Sequence, residues 1–169
     1  MKVILVAALS SDGFIARAAS HGADWTGTAD KKIFVKLTKA MGIMVMGSTT
    51  FATIGRALPG RRTIVYTSNP QSITAEGVET TTEPPLDLIN RLEQRGATGV
   101  AICGGAQIYT QFMQAGLIQD FYLTYVPVVF GEGITLFSSP LDVHLDLVTS
   151  EPIGEGAVLM HYRLKSLSS

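Results

Sequence analysis

Apolar residues fall into two kinds of run along the chain. Continuous, β-rich runs occupy 2–9, 42–46, 62–67, 98–103 and 119–130, with weaker ones at 145–149 and 156–164. Between them, apolar positions recur every three or four residues over 29–41, 48–55, 86–95 and 106–116, the spacing of one helix face. Leu86, Ile89 and Leu92 align in the third of these, and Gly96 stops that helix. Strands alternate with helices until about residue 117, and strand-like segments then follow without a helix. This order predicts an α/β fold: a mostly parallel central sheet with helices on both faces, finished by a C-terminal antiparallel hairpin. The stretch "PIGEGAV" (152–158) supplies the hairpin turn.

No repeat or linker interrupts the pattern, and "TTTEPPLD" (80–87) reads as a strand-to-helix loop, so a single domain over 1–169 is expected. Of the 169 residues 46% are apolar and 16% charged, which favours a substantial core over disorder. The net charge of −1 without a basic cluster removes the usual handle for nucleic acid or anionic membrane. No window approaches the roughly 18 apolar residues that cross a bilayer. "KVILVAAL" is preceded by one Lys at most and followed by Asp12-Gly13 rather than a small-residue cleavage site, so it reads as a first strand and not a leader. The one cysteine, Cys103, excludes an internal disulfide, fits the reduced cytoplasm and reads as a small core residue. No apolar run is surplus to the core, so monomer is the default.

The stretch "GTADKKIFVKLTKAMG" (27–42) places Asp30 on the same stripe as Ile33, Phe34, Leu37 and Met41, with Lys31, Lys32, Lys36 and Lys39 on the other sides. Either Asp30 sits at a frayed helix start and favours the dipole, or it lies in a pocket and recognises something. Open α/β sheets bind ligands beyond the carboxyl ends of their strands. There "MGSTTF" follows one strand and "GGAQIY" another, and each junction could offer backbone N–H groups and a positive helix end to phosphate. One such junction alone is also explained by helix capping; two in one sheet favour a dinucleotide. Within "GRALPGRR" (55–62), Arg56 suits a solvated turn, while Arg61, directly before a strand, is placed to aim a fork of donors at a carboxylate. The three histidines, 21, 144 and 161, lack metal-ligand spacing, and His144 and His161 read as surface or filler residues of the hairpin. A lone acid with two dinucleotide-like junctions points to hydride transfer, in which a cofactor supplies the chemistry.

"MGSTTFATIGRALPGRRTIVYTS", "GGAQIYTQF", "FYLTYV", "VAALSSDGFIA" and "DWTGTADKKIFVKLT" together resemble the dihydrofolate reductase family, in order over roughly residues 2 to 137. The resemblance implies a dihydrofolate-reductase-like fold and an NADPH-dependent, cytoplasmic reduction of 7,8-dihydrofolate, with a small-molecule folate as partner. It implies that Asp30 is the catalytic acid that pairs with the pterin. Thr124 would support that contact, Phe34, Ile54 and Leu58 would pack on the benzoyl group, and Arg61 would hold the tail carboxylate. Ala8 and Trp25 would border the substrate. Ala8, Ile15 and Ala16 would meet the nicotinamide, and Gly47, Ser48, Thr49, Thr50, Thr67, Ser68, Gly104, Gly105, Ala106, Gln107, Ile108 and Tyr109 the rest of the cofactor. Ser48 and Gln107 stand where many members carry basic residues, so NADH is expected to be accepted beside NADPH. The segment from Ile15 to Trp25 is slightly long, with Asp24 where Pro is usual. "PVVFGEGITLF" (127–137) resembles instead the riboflavin-pathway pyrimidine reductases, which share the fold. A pyrimidine reductase, or a non-catalytic pteridine- or nucleotide-binding module, is therefore the alternative.

Overall fold

The computed structural model describes residues 1–166. The strands are β1 (Lys2–Ser10), β2 (Phe14–Ala16), β3 (Ile43–Gly47), β4 (Arg62–Tyr66), β5 (Val78–Thr81), β6 (Gly99–Ile102), β7 (Asp120–Val126), β8 (Ile134–Thr135), β9 (Leu145–Gly154) and β10 (Ala157–Leu164). The helices are α1 (Gly27–Met41), α2 (Ser48–Ile54), α3 (Pro85–Gln94) and α4 (Ala106–Gln114). Eight strands form one sheet in the order β5-β4-β3-β6-β1-β7-β10-β9. It is parallel through β7, and β10 then pairs antiparallel with both β7 and β9.

The position of β1 in the middle of this sheet explains its unbroken apolar run. Val3, Leu5, Ala7 and Leu9 enter the core cluster that includes Leu88 and Leu92 of α3 and Phe112 of α4. Ile4 and Val6 face the opposite side, under Phe34, Leu37 and Met41 of α1. Strand β3 divides likewise, Ile43 and Val45 to the first cluster and Met44 and Met46 to a third beside Phe51 of α2. Both faces are covered, so alternation has no polar positions to display.

Four details differ from the sequence expectation. Strand β5, "VETT", was not anticipated, because a half-buried edge strand demands few apolar residues. The apolar run 119–130 is not one strand: β7 ends at Val126, before Pro127, and the chain continues to β8, which pairs with β2 in a separate two-stranded sheet. The hairpin turn is narrower than 152–158. Strand β9 runs through Pro152, which an edge strand tolerates, and Glu155 (φ 60) with Gly156 (φ 76) makes a two-residue turn whose twist matches the strands. Finally, His161 is not a surface residue: its ring stacks on Tyr122 with centroids 4.2 Å apart, and Nε2 lies 2.7 Å from the buried Asp120 carboxylate. His144 is exposed as expected.

Candidate active site

A cleft of about 1080 Å³ opens beyond the carboxyl ends of the parallel strands. It runs from Ala8 of β1, past the glycines that follow β3 and β6, to Thr67 and Ser68 after β4. Every residue that the sequence marks for substrate or cofactor lines it except Thr124. Thr124 is buried at 2% exposure and is the cross-strand neighbour of Ala8, so it supports the cleft from beneath.

Asp30 projects into one end from the first turn of α1. Burial lifts its pKa above the ordinary aspartate value, while the neighbouring Thr26 and Thr124 side chains and the charge of Lys31 act in the opposite direction. Asp30 thus stands in the first turn of the helix and also lines the cleft. The apolar stripe it shares is only half-buried, because Phe34 faces the cleft as well as the core. Lys31 is a correction: it lines the cleft beside Asp30 rather than standing away from it.

Arg61 borders the same end together with Phe34, Ile54 and Leu58. Its Nη1 donates to the Pro59 carbonyl at 2.9 Å, whereas its buried Nε has no partner. Burial depresses the guanidinium's pKa, as expected of a cation short of counter-charge. Cys103 floors the cleft, and burial pushes its thiol up to about 12, so it stays protonated and unreactive.

Toward the other end, α2 and α4 begin side by side. The Gly47 N–H donates to the Gly104 carbonyl at 2.8 Å, and the peptide bond between Gly104 and Gly105 is cis. Neither helix has a side-chain cap, so no side chain at the cap position takes up their first N–H groups. A Cβ added to Gly47 would come 3.2 Å from Ile108, and one on Gly105 would come 3.3 Å from the Thr50 hydroxyl. Glycine therefore keeps this passage narrow and backbone-lined, which fits the pyrophosphate of a dinucleotide. Tyr109 contributes a wall rather than a free hydroxyl, since its OH donates to the Val6 carbonyl at 2.6 Å. Arg62, whose direction sequence left undecided, pairs with Glu79 at 2.8 Å and does not line the cleft. The lining beyond Thr67 and Ser68 includes Glu83, held by Arg91.

The segment from Ile15 to Trp25 covers the cleft and is packed against the loop after β7. Trp25 meets Phe130 edge-on with centroids 4.9 Å apart, and the Arg17 guanidinium lies 4.2 Å over the same ring. Asp12 ties the two loops: it accepts the N–H groups of Phe130 and Gly131, at 3.1 and 2.7 Å. The Ser10 hydroxyl, foremost, and these N–H groups hold its pKa at about 2. Sequence reading missed Thr26, Lys31, Cys103, Glu83 and the Phe130 contact. Only Thr26, four residues before Asp30 on the same helix face, had a local signal.

An open α/β sheet with a cleft joining one half-buried acid to two uncapped helix starts defines a protein built on the dihydrofolate-reductase-type oxidoreductase plan. The chain belongs to the dihydrofolate reductase family, whose model, described as Dihydrofolate reductase, matches residues 2–150. It is 36% identical over 130 residues to the dihydrofolate reductase type 3 of Salmonella typhimurium, covering 75% of this chain and 72% of that one. It is 29% identical over 171 residues to the uncharacterized protein YwjB of Bacillus subtilis (strain 168), covering 95% and 97%. Among solved structures, the Enterococcus faecalis dihydrofolate reductase complexed with NADP(H) and RAB-propyl superposes with TM-score 0.76 at 26% identity, over 98% of this chain and 97% of that one. A protein from Shewanella sp. PV-4 assigned to riboflavin biosynthesis superposes at TM-score 0.81 over 98% and 100%, and its 22% identity makes that a likeness of fold. No helix among the described residues is long and apolar enough to cross a membrane.

Proposed function

We propose that the chain reduces 7,8-dihydrofolate to 5,6,7,8-tetrahydrofolate with NADPH. The observation that carries this reading is the presence in one cleft of both the Asp30 carboxyl and the Arg61 guanidinium, whose Nε is buried and unpartnered. A buried donor without a partner costs roughly 1–3 kcal/mol, which an anionic substrate tail would recover. The N–H-rich edge of a pterin suits Asp30, and the apolar Phe34, Ile54 and Leu58 suit the ring between the two charges.

The cofactor supplies hydride when bound. Gly47 to Thr50 and Gly104 to Tyr109 would hold its pyrophosphate through the helix starts, with Ala8, Ile15 and Ala16 at the nicotinamide and Thr67 and Ser68 at the far ribose. Asp30 then orients the substrate ring and assists delivery of a proton to N5. Its raised pKa helps, because a general acid works best near the operating pH. Trp25 and the covering segment exclude water.

The test is consumption of the nicotinamide absorbance by purified protein given dihydrofolate and NADPH. Turnover is expected. Turnover only with a ribosylamino-pyrimidine would make it a pyrimidine reductase, and tight pteridine binding without turnover would make it a binding module.

A further inference from the structure

Helix α1 begins without a side-chain cap of its own: Thr26 occupies the cap position, but its hydroxyl donates to the Ala23 carbonyl at 3.0 Å. The missing cap arrives from the hairpin turn at the other end of the chain. One carboxylate oxygen of Glu155 accepts the Thr28 N–H and the other the Ala29 N–H, both at 3.2 Å. The fit is close on both sides. Gly27 has φ +86, and a Cβ there would lie 2.6 Å from Glu155 Oε2. Glu155 itself sits at φ 60 in the two-residue turn, a conformation a Glu rarely adopts.

We propose that Glu155 is a positioning residue for Asp30, capping α1 across the fold and fixing the turn from which Asp30 enters the cleft. This rests on the role of Asp30 proposed above. Ala29, which Glu155 grips, immediately precedes Asp30, and Thr26, whose side chain lies beside the Asp30 carboxyl, is one residue before the Gly27 contact. Rotation of the first turn would therefore move the carboxylate relative to Thr124 on β7.

The cap has an electrostatic consequence as well. An uncapped N-terminus stabilises a nearby anion, and the Glu155 charge offsets that field. On this proposal the Glu155 charge adds to the burial that already raises the Asp30 pKa and opposes the Lys31 charge that lowers it. The other charged and titratable groups around Asp30 are Lys31 on its own helix, Tyr109 on α4, and Arg61 and Cys103, which line the same cleft. A Glu155 substitution leaves all of them in place.

The experiment titrates the Asp30 carboxyl by ¹³C NMR in the ligand-free protein, with Asp30→Asn to assign the resonance. It compares wild type, Glu155→Gln and Glu155→Ala. Glu155→Gln keeps the size of the side chain and one of its two acceptors but removes the charge, so the Asp30 pKa should fall by about 0.2–0.7 pH unit. The pH above which kcat/KM declines, where Asp30 loses its proton, should move down with it. Glu155→Ala should lower kcat/KM by up to about 10²-fold, the cost of misplacing a reacting group by an ångström, with Glu155→Gln retaining most of the activity. An Asp30 pKa identical in wild type and Glu155→Gln overturns the proposal, whether or not Glu155→Ala folds. Should wild type fail to reduce dihydrofolate, the functional reading falls, while the titration still decides what Glu155 does to Asp30.

Discussion

Asp30 and Asp12 are both aspartates near the same cleft, and their surroundings drive them in opposite directions. Asp12 accepts a hydroxyl and two backbone N–H groups and is held at about 2, whereas burial lifts Asp30 above 3.8. The native state therefore binds the Asp30 proton more tightly than the unfolded chain. Stability from this group is full below the unfolded value of 3.8 and is lost as pH rises through the native value. Asp30→Asn preserves the neutral shape at every pH. It should raise Tm at pH 7, and the gain should fade as pH falls toward the aspartate range, which thermal scans across pH will read. The same variant should lose about 10²–10⁴ in turnover, the usual worth of acid–base assistance. That defect should shrink at low pH, where solution protonates the substrate. Wild-type turnover by the Asn variant would reject the catalytic role. The sequence placed Asp30 on a half-apolar helix face, but nothing local stated that Thr124, on a distant strand, would lie beneath it.

At the scale of elements, the starts of α2 and α4 lie side by side in the cleft, where the proposed cofactor's phosphates would lie, and their side chains are neutral. Ser48 and Gln107 donate only uncharged hydrogen bonds, and Arg62 is engaged by Glu79. Each neutral donor to a 2′-phosphate contributes about 0.5–1.5 kcal/mol, against roughly 1.5–3 for a charged one. NADPH should therefore be preferred by a modest factor, with measurable turnover on NADH. Ser48→Arg should lower the KM for NADPH by about 10- to 150-fold and scarcely change that for NADH. Added salt should erode the gain, since charges beyond about 10 Å are screened at 0.1 M. Exclusion of NADH by a thousandfold in wild type would show that another cation reaches the phosphate. These two junctions were legible in sequence because glycine followed by hydroxyl or amide residues at a strand end is local information. Strand β5 was not legible. Its place at the sheet edge rests on pairing with β4, reinforced by Glu79 between Arg62 and Arg91.

For the molecule as a whole, the terminal hairpin contributes no residue to the cleft lining, which ends at Ile134. Yet β10 covers the edge of β7, burying Ala157 and Leu159 with Phe121 and Leu123, and its turn supplies the cap of α1. A chain ending at residue 143 keeps every lining residue but exposes that edge. It should lose cooperative thermal unfolding and near-ultraviolet circular dichroism and bind a hydrophobic dye. A sharp transition near the full-length Tm would show that the hairpin is dispensable.

The sequence by itself determined the runs of buried strand, the helices between them, the two glycine junctions and the acid on α1, because each depends on residues a few positions apart. Even the arginine before β4 was legible as a cleft residue from its place at a strand start. The tertiary structure alone decided which charges meet. It paired Arg62 with Glu79, left Arg61 Nε without a partner, set His161 against Asp120 and brought Glu155 to Thr28, 127 residues away in sequence. Hydrophobic periodicity is a one-dimensional record of burial. The partner of a charge depends on strand order, register and the direction of a single side chain, none of which that record contains.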